Sequence, residues 1–113
     1  VMRLLALLAV LAGLTACMSP APTRSSVVIR PDAAGLQVDP VNKRIDFGRS
    51  PKGVVPALDR EVGRHKALPL DGCPAGVVQQ LQWDDLVLTF TRERFVGWKD
   101  GGASSGTTCP ATG

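Results

Sequence analysis

The hydrophobic positions fall into three kinds of run. Residues 4–14 are eleven consecutive apolar positions with no polar face. At about 1.5 Å per residue such a helix falls well short of a bilayer core about 30 Å thick, and its lack of a polar stripe argues against a surface helix of the fold. The second kind is alternation. Leu36-Gln37-Val38-Asp39 alternates until Pro40, and Lys43-Arg44-Ile45-Asp46-Phe47 alternates until Gly48, with Ile45 and Phe47 on one face. Both predict short strands. The third kind has helical spacing. Val54, Leu58 and Val62 recur every fourth residue, and Val55 widens the stripe. Ser50 before Pro51 is the pairing expected of an N-cap and first helical position, and Gly63 suits the stop. Lys52, Asp59, Arg60 and Arg64 fall on the solvated side. Pro56 removes one helical hydrogen bond and predicts a bend.

Alternation then returns for the rest of the body. Val77, Gln79, Leu81 and Trp83 interleave with Val78, Gln80 and Gln82; Leu86, Leu88 and Phe90 interleave with Val87, Thr89 and Thr91; Phe95-Val96-Gly97-Trp98 closes the series. Asp84-Asp85 and Arg92-Glu93-Arg94 supply tight turns, so the three runs predict an antiparallel meander. The expected fold class is α+β: one helical segment packed on a small antiparallel sheet, built from a three-stranded meander plus a short N-terminal strand.

The ends read differently. Residues 18–35 are rich in Ser, Pro, Ala and Gly, and residues 17–35 are expected to form a tether. Val27-Val28-Ile29 is its one apolar patch, an edge strand or a sticky point on a linker. Residues 36–98 form the expected domain. Residues 99–113, with Gly101-Gly102 and Ser104-Ser105-Gly106, are expected to be a flexible tail pinned back by Cys109.

Met2-Arg3, the apolar run and the small residues after it have the layout of a secretory signal over residues 1–16. Leu14-Thr15-Ala16-Cys17 at the end of that run resembles the lipobox of bacterial lipoproteins. The resemblance implies cleavage before Cys17 and acylation of its thiol and new amino group. Each buried CH₂ is worth about 0.8 kcal/mol, so several chains would anchor the protein firmly to a membrane. Met18 and Ser19 follow, with no Asp directly after the cysteine, which by analogy with enteric sorting favours the outer membrane.

Composition sharpens this picture. The chain has 113 residues and a formal net charge of +3, which falls to +2 without Arg3. That length excludes a doubly wound nucleotide-binding fold, and so small a charge on an exported chain argues against nucleic acid. Of the three cysteines, one is committed to lipid if the lipobox operates. Cys73 and Cys109 are then an even pair in an oxidising compartment and are expected to be disulfide-bonded. Two free thiols or a metal pair are the alternatives, though two cysteines and one distant histidine make a poor zinc set.

A second resemblance covers residues 44–98. Gly48-Arg49-Ser50, Val54, Leu58, Gly63, a later cysteine and the series Trp83, Leu88-Thr89-Phe90, Phe95-Val96-Gly97-Trp98 resemble small lipoprotein domains of the SmpA/OmlA type and the related β-lactamase-inhibitor-protein-like repeat. Short lipoproteins of alphaproteobacteria are also similar. Here Gly63 falls about one turn later than in that pattern, and Pro56 intrudes. The resemblance implies a protein-binding envelope domain without catalytic activity.

Catalytic chemistry finds little support in the residues. His65, the single histidine, lies between Arg64 and Lys66 after the helix and lacks a neighbouring carboxylate in sequence, so it reads as a cation complementing the helix dipole. Asp84-Asp85 reads as a turn rather than an acid–base pair. Cys73 precedes Pro74 and reads as structural. No cofactor, metal or enzymatic activity is expected. The remaining surface candidates are Arg92, Arg94, Phe95 and Trp98, residue types favoured at protein interfaces. The leading expectation is a membrane-anchored, periplasm-facing envelope lipoprotein that docks on a protein partner. A binder of peptidoglycan or a small envelope ligand is the alternative, and a small periplasmic enzyme ranks third.

Overall fold

The structure, a computed structural model, describes residues 27–110. The apolar leader, Cys17 and residues 18–26 lie outside the described residues. Eight strands and one helix follow in the order β1 (Val28–Asp32), β2 (Gly35–Asp39), β3 (Lys43–Asp46), α1 (Pro51–Glu61), β4 (Lys66–Ala67), β5 (Val77–Trp83), β6 (Leu86–Thr91), β7 (Phe95–Asp100) and β8 (Ala103–Gly106). They form two antiparallel sheets, β1-β2-β3 and β4-β5-β6-β7-β8. The α+β class and the β5–β6–β7 meander are as the pattern predicts. The N-terminal strand expected alone is instead part of a second, three-stranded sheet.

The tether expected through residue 35 gives way to strand at Val28. Arg30 pairs with Asp39 across β1 and β2 at 2.8 Å, and Ile29 packs against the core. The Ala34 N–H donates to Asp32 Oδ1 at 3.0 Å and tightens the turn. Gly35 follows at φ 145°, and a Cβ there would lie 2.3 Å from the Ile45 carbonyl oxygen. Of the two readings of the Val27-Val28-Ile29 patch, the edge strand is the one found: Val28 and Ile29 open β1 at the edge of the smaller sheet.

Part of the expected C-terminal tail is also sheet. Lys99 and Asp100 end β7, Gly101-Gly102 turn the chain, and Ala103–Gly106 pairs back on β7. Small residues suit this edge because it runs close to the body: a Cβ on Gly106 would meet the Val96 carbonyl at 2.3 Å. A Gly/Ser run carries the same composition whether it is a linker or a tightly approached hairpin, which is why its sequence pattern misleads.

Helix α1 forms as its signals predict. Ser50 is the N-cap, its Oγ accepting from the Lys52 N–H at 3.2 Å, and Pro51 opens the helix. Val62 caps the other end through a 2.7 Å bond from its N–H to the Leu58 carbonyl, and Gly63 takes up φ 128°. The helix continues through Pro56, which is exposed, so the carbonyl it leaves unpaired is on the water side.

Val54 and Leu58 bury against one core made by Leu36 of β2 and by Leu81, Trp83, Leu86, Leu88, Phe90, Phe95 and Trp98 of the larger sheet. The two sheets are joined by polar contacts. Trp98 Nε1–H donates to the Asp32 carbonyl at 2.8 Å, and the Gly48 N–H and Arg49 carbonyl exchange bonds with the Phe95 backbone at 2.8 and 2.7 Å.

The other face of the larger sheet is covered by loops. Cys73 and Cys109 are disulfide-bonded, with Cα atoms 4.4 Å apart. Gln80 Nε2 donates to the Pro69 carbonyl at 2.9 Å, and Lys99 Nζ donates to the Cys109 carbonyl at 2.7 Å. Thr107 crosses directly over Gly97, where a Cβ would sit 1.9 Å from its carbonyl oxygen. Beneath this covering Thr89 is fully buried, and its Oγ1 has no hydrogen-bond partner among the described residues.

Candidate functional site

The chain reversal at Gly63 builds a polar cluster that sequence spacing hides. It brings His65 back beside the last turn of α1, where Asp59 accepts from three groups. His65 Nδ1 lies 2.9 and 3.0 Å from the two carboxylate oxygens, and the His65 backbone N–H donates to Oδ1 at 3.0 Å. Trp83 Nε1–H donates to the same oxygen at 3.1 Å. The imidazole also leans on the Trp83 indole, with ring centroids 5.6 Å apart. Partial burial pushes the Asp59 carboxyl up, but the bonds from His65 and Trp83 outweigh it and hold the group below the usual carboxylate range. An ionised Asp59 can only accept, so Nδ1 carries the proton and Nε2 is directed elsewhere.

His65 thus has the orienting carboxylate that its neighbours in sequence lack. An Asp–His pair of this kind positions a base when a nucleophile lies at Nε2. Among the described residues Nε2 makes no hydrogen bond, and the cluster instead ties the end of α1 to the end of β5. Asp59, placed on the solvated side by helical periodicity, is the residue whose role the spacing conceals. The legible signal was an Asp in the last helical turn, a glycine stop, and a histidine two residues beyond it.

A cleft of about 530 Å³ opens on the other side of the helix, between α1 and the β2–β3 face. Its walls are apolar, from Val38, Val41, Ile45, Val54 and Ala57, and its rim carries Lys43, Arg49 and Arg60, with Glu61 beside Arg60. Arg44 also borders the cleft but is committed to a pair of carboxylates. It forms a fork on Asp32 and a 2.9 Å contact with Asp46. The Arg44 fork first, and then the Ala34 and Gly35 backbone N–H groups, hold the Asp32 carboxyl down to about 2. A smaller cavity of about 250 Å³ lies beside the C-terminal end of α1, at Leu58 and Val62, where Asp84, Asp85 and Asp100 surround Val27 and Ile29.

The expected interaction surface is only half present. Arg92 and Arg94 are exposed on the β6–β7 turn. Phe95 is 0% exposed and Trp98 6% exposed, and both belong to the core. Phe95 packs edge-on against Phe47 at 5.0 Å and beside Phe90 at 5.7 Å. Simple alternation would separate two residues three positions apart, but the register shift between Thr89 and Phe90 leaves Val96 as an extra residue in β7 and returns both to the core face, so neither can meet a partner from that surface. Cys73 and Cys109 are paired as expected, and Asp84-Asp85 form the turn between β5 and β6. Cys17 lies outside the described residues.

Among the described residues no cluster of three or more His, Cys, Asp or Glu side chains is placed to hold a metal ion. No helix among them is long and apolar enough to cross a membrane. No protein-family model, curated protein or solved structure matches the chain.

Proposed function

We propose that the protein is a lipid-anchored envelope protein whose α+β body serves as a non-catalytic interaction module. The observation that carries the reading is the Cys73–Cys109 disulfide, taken together with an apolar run that ends in Leu14-Thr15-Ala16-Cys17. A disulfide in a body this small belongs with an oxidising compartment such as the periplasm, and the lipobox-like tetrapeptide supplies the route to it. The anchor sits on Cys17, and the outer membrane is the favoured membrane because no Asp directly follows it. With Phe95 and Trp98 enclosed, the docking surface reduces to the cationic turn of Arg92 and Arg94.

Growth of the producing cells with an alkyne-bearing fatty acid tests the anchor. The wild-type chain should take up label and fractionate with membranes, and Cys17→Ser should do neither. Equal labelling of both chains would overturn the reading. Capture of partners from solubilised membranes should in turn be weakened by Arg92→Glu with Arg94→Glu.

A further inference from the structure

The cleft between α1 and the β2–β3 face has the make-up of a ligand site rather than a packing defect. Its volume, about 530 Å³, lies within the range of small-molecule pockets, which are mostly apolar with a few placed polar groups. Val41 is 56% exposed at its mouth, and Ile45 and Ala57 are only partly buried. Glu61 is the one carboxylate among the lining residues, and against it stand Lys43, Arg49 and Arg60, a cationic excess that is largely uncommitted. Lys43 and Arg49 make no ion pair among the described residues, and Arg60 has only a 3.8 Å contact with its neighbour Glu61. Arg44 contrasts with them, since Asp32 and Asp46 already occupy its guanidinium.

We infer that this cleft binds a long-chain carboxylic acid, with a single acyl chain along the apolar floor and the carboxylate held at the mouth by Lys43 and Arg49. Charge complementarity decides among the occupants. Residues 1–26 contain no Asp or Glu, so the chain's own N-terminal segment offers no anion to this rim. Val27, where the described chain begins, lines the separate acidic cavity at Leu58 and Val62 instead. A second copy packed face to face would set the cationic rim against itself. A protein partner would need an interface of about 1,000 Å² or more, larger than a pocket closed off by one helix and one hairpin. One chain and one negative charge fill what is present. The inference goes beyond the anchoring proposal and does not depend on it, because none of the residues used belongs to the anchor.

The test uses the purified protein as the cell makes it, held in phosphatidylcholine vesicles and exposed to a diazirine-bearing palmitate. After illumination the cross-linked peptides are mapped by mass spectrometry. Label should fall on the segments of Ile45 and Ala57, and palmitate should compete it away while hexadecanol, which lacks the charge, should not. Lys43→Glu with Arg49→Glu should weaken palmitate competition about tenfold, the sum of two exposed ion pairs. Gly53→Trp should abolish labelling by filling the cleft. A Cβ at Gly53 meets nothing within 4 Å, so this variant is expected to keep the fold, checked by a far-ultraviolet circular dichroism spectrum and a cooperative melt like those of the wild type. Label scattered over other surfaces, equal competition by hexadecanol, an unchanged charge-reversal variant, or displacement by a lysophosphatidate but not by palmitate would each overturn the inference.

Discussion

Two residues show how much a single position contributes here. Gly97 sits in the middle of β7 with the Thr107 backbone pressed onto it. The Thr107 N–H donates to the Val96 carbonyl at 2.8 Å, so the crossing strand cannot move away without losing that bond. Gly97→Ala should destabilise the protein by roughly 1–3 kcal/mol, the usual range for overpacking, and a urea melt would read it as a lowered midpoint with an unchanged slope. Asp32 is the second. Its carboxyl, held by Arg44, is lowered from 3.8 to about 2. A depressed folded value means that its contribution is fully present above the unfolded value and is lost as pH falls through the folded one. Stability should therefore decline between about pH 4 and pH 2, and Asp32→Asn should flatten that part of the acid limb. Asp59 and Asp39 are also lowered and add to the same decline. Neither Gly97 nor Asp32 stood out in the sequence, because what matters at each is a backbone or side chain far along the chain.

Among the elements, α1 was the most legible and also carries a weakness that can be repaired. Ser50, Pro51, the Val54/Leu58 stripe and Gly63 all act locally, so their roles survive whatever the helix packs against. Gly53 lies in the first turns, exposed and with open space around its Cβ position. Gly53→Ala should raise stability by about 0.4–1 kcal/mol through the restricted unfolded chain, visible as a higher melting temperature. The meander was legible for the same reason: three alternating runs and two turns declare their own pairing. The edges were not. β1, β4 and β8 are short, and β8 is made of Ala, Ser and Gly, so they have too little periodicity to separate strand from linker. Their pairing comes from neighbours that are already in place.

For the whole molecule, the disulfide is the element of greatest reach. It spans 36 residues of sequence and ties the loop before β5 to the segment after β8. In the chain-entropy model a loop of that size contributes roughly 4 kcal/mol. A body of this size buries only about 60% of its unfolded surface and has little reserve. Cys73→Ser with Cys109→Ser, or reduction with dithiothreitol, should therefore lower the melting temperature by many degrees, measured by circular dichroism. The same covering layer holds Gln80 and Lys99, so the back of the sheet should become protease-sensitive in the reduced protein.

The order of residues along the chain was enough to specify what acts over a few positions: the helix with its cap and stop, the three central strands and their turns, the α+β class, and the parity that pairs Cys73 with Cys109. Packing in three dimensions settled the remainder. It turned part of an apparent tether and tail into sheet edges, enclosed Phe95 and Trp98, joined Asp59 to His65 and Trp83, and opened a cation-rimmed cleft beside α1. These features depend on contacts between segments far apart in the chain, and local alternation and propensity carry no information about which distant surface a residue will meet.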